Sequence, residues 1–145
     1  MNQPTIKTLI YPEFFAEIEA IRRSVFQEEQ GVDPALEFDG LDATATHLLA
    51  YLDEQPVGTA RIRYLEQQTA KIERLAVLST ARGLGIGKKL MVKALDVAQE
   101  NNTQDVVVNA QEYVKALYQQ LGFEQVGERF EEAGIVHIKM IKRLR

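Results

Sequence analysis

Cysteine is absent from the 145 residues, and that absence closes a branch of chemistry. No thiol nucleophile, no covalent thiol intermediate and no cysteine-ligated metal can be built from this chain. It also fits a reducing compartment. Cations are in the minority, 17 Lys and Arg against 21 Asp and Glu, for a formal charge of −4. No basic stripe of the kind that follows a nucleic-acid backbone runs along the chain. The short basic end at Lys139, Lys142, Arg143 and Arg145 reads as a solvated strand terminus. No apolar run approaches the roughly 20 residues of a membrane span, and Met1-Asn2-Gln3-Pro4 has no apolar leader core. The expectation is a cytoplasmic protein with neither a nucleic-acid nor a membrane partner. Repeats, low-complexity tracts and linkers are also missing, so residues 1–145 are read as one domain. A chain this long buries about two-thirds of its unfolded surface in a single core.

What is present is a run from Val77 to Lys88 in which an apolar strand enters a turn carrying Gly83, Gly85 and Gly87. The turn opens straight into a long amphipathic helix. Such a junction leaves the first helical N–H groups unpaired and adds the positive end of the helix dipole. Glycines remove the Cβ atoms that would hold a phosphate away from those groups. An anion, with pyrophosphate the leading choice, belongs here. Two familiar phosphate loops fail on spacing. A P-loop would need glycine at Arg82 and a hydroxyl at Lys89, and a dinucleotide fingerprint would need glycine at Lys88.

The rest of the chain reads as alternating elements. Thr5–Ile10 predicts a strand. A helix starts at Pro12 with Phe14, Ile18, Ile21 and Val25 on one face. Gly31–Gly40 reads as an acidic loop with room for a helical turn. Strands at Thr46–Leu52 and Val57–Tyr64 flank a turn at Asp53-Glu54-Gln55-Pro56, and a third covers Ala70–Leu78 after Gln67-Gln68. From Ile86 to Asn101, Ile86, Leu90, Met91, Ala94, Leu95, Val97 and Ala98 occupy half a helical wheel, and Lys88, Lys89, Lys93, Asp96, Gln99 and Glu100 the other half. Asp105–Ala110 predicts a strand buried on both faces. Tyr113–Leu121 predicts a helix capped by Gly122. Two closing strands, Glu124–Phe130 and Ile135–Lys142, surround Glu131-Glu132-Ala133-Gly134. Hairpins early and helical crossovers late give an α/β (α+β) chain with a mixed sheet.

The pattern Arg-x-x-Gly-x-Gly, here Arg82, Gly85 and Gly87 ahead of an amphipathic helix, resembles the acetyl-coenzyme A loop of the GNAT family of N-acetyltransferases. Ile21–Val32 is similar to the first-helix segment of a small bacterial GNAT subgroup. Ile72–Val77 looks like the strand before the loop, and Asn109-Ala110-Gln111, Ala116-Leu117-Tyr118 and Leu121-Gly122-Phe123 look like the fifth strand and fourth helix. The C-terminal part through His137–Met140 resembles the glyphosate N-acetyltransferase type. The resemblance implies a mixed, mostly antiparallel sheet of six to seven strands flanked by about four helices. It implies acetyl-CoA as co-substrate and no metal. The backbone of Leu75, Ala76 and Val77 would pair with pantetheine, lying between splayed strands. The N–H groups of Arg82, Gly83, Leu84, Gly85, Ile86, Gly87 and Lys88 would cradle the pyrophosphate, and Asn109 would contact coenzyme A amides.

Acetyl transfer to an amine needs a neutral amine, donors for the tetrahedral oxyanion and a proton for the leaving thiolate. Without cysteine, direct attack in a ternary complex is the reading. The Val77 N–H is the candidate oxyanion donor. The resemblance places Tyr118 beside the thioester sulfur as general acid, and His137 at a histidine-base position; histidine titrates in the right range. Glu73, on the strand leading to the thioester, competes as a base acting through water, on the same side as Lys71 and Leu75 if alternation holds. His47 reads as a satisfied sheet residue. Arg74 and Arg22 match arginines of the same subgroup and are candidate substrate contacts. Gln27 and Gln111 stand where that type places further arginines, which argues against a highly anionic acceptor and towards a small-molecule amine. A catalytically silent acyl-CoA-binding domain is the alternative, with Tyr118 and His137 merely packing. Exposed strand edges leave a homodimer open.

Overall fold

The computed structural model describes residues 3–9, 11–66 and 68–144. The expected strand end at Ile10, turn residue Gln67 and the termini at Met1, Asn2 and Arg145 lie outside the described residues. β1 (Thr5–Leu9) leads to α1 (Tyr11–Arg22), whose end widens into a π-helical stretch over Arg23–Glu29. The wider turn is closed by Gln30 N–H donating to Val25 O at 3.1 Å, five residues back. It buries both Val25 and Phe26, neighbours that an α-helix would set 100° apart. Ile18, Ile21 and Val25, expected on one face, are buried against Leu49 and Ala76.

The acidic loop holds one short helix, α2 (Pro34–Glu37), started by Asp33, whose side chain accepts from Ala35 N–H at 2.9 Å. β2 (Thr46–Leu52) and β3 (Gln55–Leu65) form a hairpin turned by Asp53 and Glu54, both at positive φ. β4 (Thr69–Val77) follows, then a 3-10 turn at Ser79–Ala81 and α3 (Ile86–Glu100). β5 (Asp105–Gln111), a 3-10 turn at Glu112–Val114 and α4 (Lys115–Gln120) come next. The chain ends with β6 (Glu124–Gln125), β7 (Phe130–Glu132) and β8 (Ile135–Arg143).

Among the described residues, eight strands join one sheet in the order β1-β2-β3-β4-β5-β8-β6, with β7 also paired to β8. β4 and β5 run parallel; the other pairs are antiparallel. The sheet has one strand more than expected because Glu124–Phe130 divides. Gly127, at φ +80°, breaks the ladder between β6 and β7. β5 also departs from expectation: only Val106, Val108 and Ala110 are buried, and the alternate residues are half-buried. Its other face turns out to line a cavity.

α3 lies across the sheet with Ile86, Leu90, Met91, Ala94, Val97 and Ala98 buried, as its wheel predicts. Burying each of the larger side chains is worth about 1.5–3 kcal/mol. Gly58 on β3 sets how close the helix comes. A Cβ there would meet Leu90 Cδ1 at 3.0 Å and Ile86 Cγ2 at 3.3 Å. Among the described residues, no helix is long and apolar enough to cross a membrane.

Candidate active site

The site begins where two strands part. The paired rungs between β4 and β5 are Thr69↔Asp105, Ala70↔Val106 and Lys71↔Val107. Beyond Lys71 the strands diverge and enclose a cavity of about 670 Å³. A bulge contributes to the divergence. Between the pairs Thr59↔Ala76 and Arg61↔Glu73, two β4 residues oppose Ala60 alone. Arg74 sits in that bulge at φ +57°, a left-handed conformation rare for a side-chain-bearing residue. The simple alternation expected of Lys71, Glu73 and Leu75 therefore fails after Glu73. Lys71 through Val77 all contribute to the cavity wall. Leu78 N–H donates to Val57 O at 2.8 Å on the β3 side. In extended chain, the preceding N–H points to the opposite edge, so Val77 aims its N–H into the gap.

At the far end of the gap stands the first turn of α3. Gly85 precedes it at φ +76°, with no side chain capping the turn, and Gly83 adopts φ +80°. A Cβ on either would meet nothing within 4 Å, so the positive φ, not packing, calls for glycine at these positions. Gly83, Gly85, Ile86, Gly87 and Lys88 line the cavity, whereas the Leu84 side chain turns outward, 55% exposed. Arg82 also lines it. Its Nε donates to Val77 O at 3.0 Å, and both terminal nitrogens donate to the Glu29 carboxylate. That fork holds Glu29 below its ordinary pKa and raises that of Arg82.

Tyr118, Asn109 and His137 face the same space from α4, β5 and β8. Tyr118 is buried against Phe123 in an edge-on ring pair at 5.7 Å. Burial, with a smaller contribution from Tyr113, pushes its pKa up to about 12. The phenol stays protonated at neutral pH. His137 is buried, stacks on Phe130, and has Nδ1 2.7 Å from Ile135 O. A carbonyl can only accept, so Nδ1 carries a proton, which leaves Nε2 as the nitrogen that can accept one whenever the ring is neutral. Glu132 Oε2 lies 3.7 Å from that Nε2.

Glu73 reaches the cavity too, but as a committed ion. It accepts from Arg61 Nη2 at 2.6 Å and from Arg63 Nε, and Lys71 Nζ is 3.6 Å away. Burial acts to raise its pKa, but the Arg63 hydrogen bond and the Arg61 charge outweigh it, leaving Glu73 below the usual carboxylate range. A carboxylate so held is a weak base.

The two arginines proposed for substrate are both engaged elsewhere. Arg22 is a correction: it is 1% exposed and lies outside the cavity lining. It donates to Glu37 Oε2 at 2.6 Å and Asp42 Oδ1 at 2.7 Å. Arg74 lines the cavity, but its guanidinium donates to the carbonyls of Glu37 at 3.1 Å and Leu36 at 3.4 Å, and to Asp39 at 3.3 Å. Arg61, fully buried on β3, completes the network with Asp39 at 2.7 Å and Asp42 at 3.0 Å. Together these ions clamp Pro34–Asp42, whose Leu36 and Glu37 form part of the cavity wall. His47 lies beside this network, its Nε2 2.8 Å from Asp42 O and its ring on Tyr11, satisfied as expected.

Sequence reasoning missed this network, the Glu29 clasp on Arg82, the Glu132 neighbour of His137, and a hydrogen-bonded pair between Gln30 and Gln111 that lines the cavity. A visible signal existed for the first: Arg61 interrupts an apolar stretch of β3 whose neighbours Ala60 and Ile62 are buried.

A family model described as an acetyltransferase (GNAT) domain matches residues 18–144. The chain belongs to the GNAT family of acetyltransferases. This GNAT chain is 37% identical over 127 residues to the uncharacterized protein YyaT of Bacillus subtilis, across 86% of this chain and 85% of that protein. The crystal structure of Escherichia coli ElaA matches at a TM-score of 0.87 and 28% identity, over 97% of this chain and 100% of that one. An acyl-CoA N-acyltransferase from Pseudomonas aeruginosa matches at 0.81 and 32%, over 97% and 99%. Membership makes acyl transfer the class of chemistry and implies an acyl-coenzyme A donor. These likenesses establish the GNAT family, not the glyphosate subgroup.

Proposed function

We propose that the protein moves an acetyl group from acetyl-CoA to the amine of a small molecule by direct attack in a ternary complex. The observation that carries this reading is that three groups line one cavity: the uncapped first turn of α3, Tyr118, and His137 with its Nδ1 engaged by a carbonyl. The donor fits the groove on local grounds. The N–H groups from Arg82 to Lys88 offer a diphosphate site at the positive end of a helix. The open edges of Leu75, Ala76 and Val77 offer strand-like pairing to an extended amide chain, and Asn109 faces them from β5. Val77 N–H is placed to donate to the carbonyl oxygen as it gains charge.

His137 Nε2 takes the proton of the attacking amine, and Glu132 steadies the resulting imidazolium. As the new C–N bond forms and the C–S bond breaks, Tyr118 gives its proton to the departing sulfur. Lacking cysteine, the chain has no route through an acyl-thiol of its own. The same lack favours the reducing cytoplasm as its place of work.

The test is release of the coenzyme A thiol on mixing the full chain with acetyl-CoA and a panel of amines. His137→Ala lowers kcat/KM about 10²–10⁴-fold, and Tyr118→Phe lowers kcat. Equal rates in all three proteins would overturn these roles. Tight acetyl-CoA binding with no turnover on any amine would favour a silent acyl-CoA-binding domain.

A further inference from the structure

We infer that Gln30 and Gln111 form the acceptor-selecting edge of this cavity, matched to an amine that carries a carboxamide and mismatched to one that carries a carboxylate. The inference rests on the acetyltransferase reading and adds to it the class of acceptor.

The two side chains come from positions 81 apart in the sequence. Gln111 Nε2 donates to Gln30 Oε1 at 3.0 Å, and Gln30 Nε2 donates back to Gln111 Oε1 at 3.4 Å. Both residues are half-buried and line the cavity. A primary amide has two N–H groups and two lone pairs. The reciprocal pair uses one of each per residue, so each glutamine still has a donor and an acceptor to offer. A group that both donates and accepts satisfies that edge. A carboxylate, which only accepts, leaves the glutamine oxygens facing like charge.

The pair also sits where an acceptor must lie. Gln111 on β5 is the direct cross-strand partner of His137 on β8. Directly opposed residues share a face of the sheet, with Cβ atoms about 4.5–5.5 Å apart. An amine within reach of His137 Nε2 therefore has the Gln111 amide beside it. Charge on this flank points the same way. Glu132 stands 3.7 Å from His137 Nε2. The arginines are committed elsewhere: Arg22 to Glu37 and Asp42, Arg61 to Asp39, Asp42 and Glu73, and Arg74 to the Pro34–Asp42 wall. A carboxylate seated here would meet Glu132, with these three arginines already engaged by other carboxylates and carbonyls.

The competing account makes the pair a latch, tying the end of the π-helical stretch to β5 and touching no substrate. Selectivity separates the two. Thiol release is measured for matched acceptors that differ only at the end group, amino-acid amides against the free acids. The wild-type chain is compared with the near-isosteric Gln30→Met and Gln111→Met variants and with Gln111→Arg. Taking the ratio of amide to acid kcat/KM within each protein, then across proteins, cancels the differing basicity of the amines.

The expected result is a wild-type preference for amides that falls about tenfold in each Met variant, the loss of roughly one good hydrogen bond. Gln111→Arg shifts the preference towards acids. Wild-type turnover of acids as good as that of amides overturns the inference. So do unchanged ratios in variants whose melting temperature drops, the signature of a latch alone. A chain that turns over other amines without these ratio changes loses only this inference. A chain that releases no thiol with any amine loses the parent reading and this one with it.

Discussion

Tyr118 keeps its proton up to about pH 12 because the fold buries its phenol. Amines lose theirs at lower pH, around 10 for an ordinary alkylamine. Donor and nucleophile can thus both be ready between pH 7 and 10. The rate should rise with pH over that range and show no falling limb from the tyrosine. A decline centred below pH 10 in the kcat profile, absent in Tyr118→Phe, would contradict this assignment. At this scale the sequence was partly readable. Tyr118 and His137 could be picked out by resemblance, and the structure sets both in one cavity. The orientation of His137 was not legible, because it depends on the carbonyl of Ile135 at the start of the same strand. Nor was the partner of Arg82, since Glu29 lies 53 positions away and meets it only through the π-helical turn.

Among the elements, the Pro34–Asp42 wall depends on ionised carboxylates. Asp39 lies below its ordinary value of 3.8, chiefly through its hydrogen bond from Arg61. Burial would raise Asp42 and Glu73, but their arginine partners more than offset it. A pKa depressed in the folded state means that the unfolded chain takes up protons first as the pH falls. The stabilisation is therefore present above the ordinary values of 3.8 and 4.5 and is lost below them. Urea midpoints should be flat near neutrality and fall from pH 4.5 downwards. Arg61→Met takes one guanidinium from Asp39, Asp42 and Glu73, leaving them Arg74, Arg22 and Arg63 respectively, and should cost about 1.5–3 kcal/mol at pH 7. That cost should shrink as the pH approaches 3.5, because protonation removes the uncompensated charge. A cost independent of pH would show that the network is not the anchor described. Elements with one apolar face were the legible ones: α3 and β2 stand where periodicity put them. The wall was not, because ion pairs between a loop and the middle of two strands leave no periodic trace.

For the whole molecule, a ligand that bridges β4, α3 and β5 should stabilise the fold by mass action. At 100 times its dissociation constant, the gain is about 2.7 kcal/mol, a rise of roughly 5–10 °C in melting temperature for a chain of this size. Coenzyme A should produce it, and ATP or NAD at equal concentration should not. Gly85→Val should remove most of the shift, because the added side chain needs a strained backbone at φ +76° and fills ligand space. Equal stabilisation by all three ligands would point to an unspecific anion site.

The divergence of β4 from β5 has one more outcome. Past Lys71, two lengths of main chain face each other with their hydrogen-bonding groups unmatched across the gap. Protein sheets usually guard such margins because they template pairing with other molecules. Here the margin is internal, and the acyl-coenzyme A proposed above would be its cover. Light scattering on warmed, concentrated samples should therefore register self-association sooner in guest-free protein than in loaded protein with the same unfolded fraction, so that the supply of a metabolite sets the shelf life of the fold.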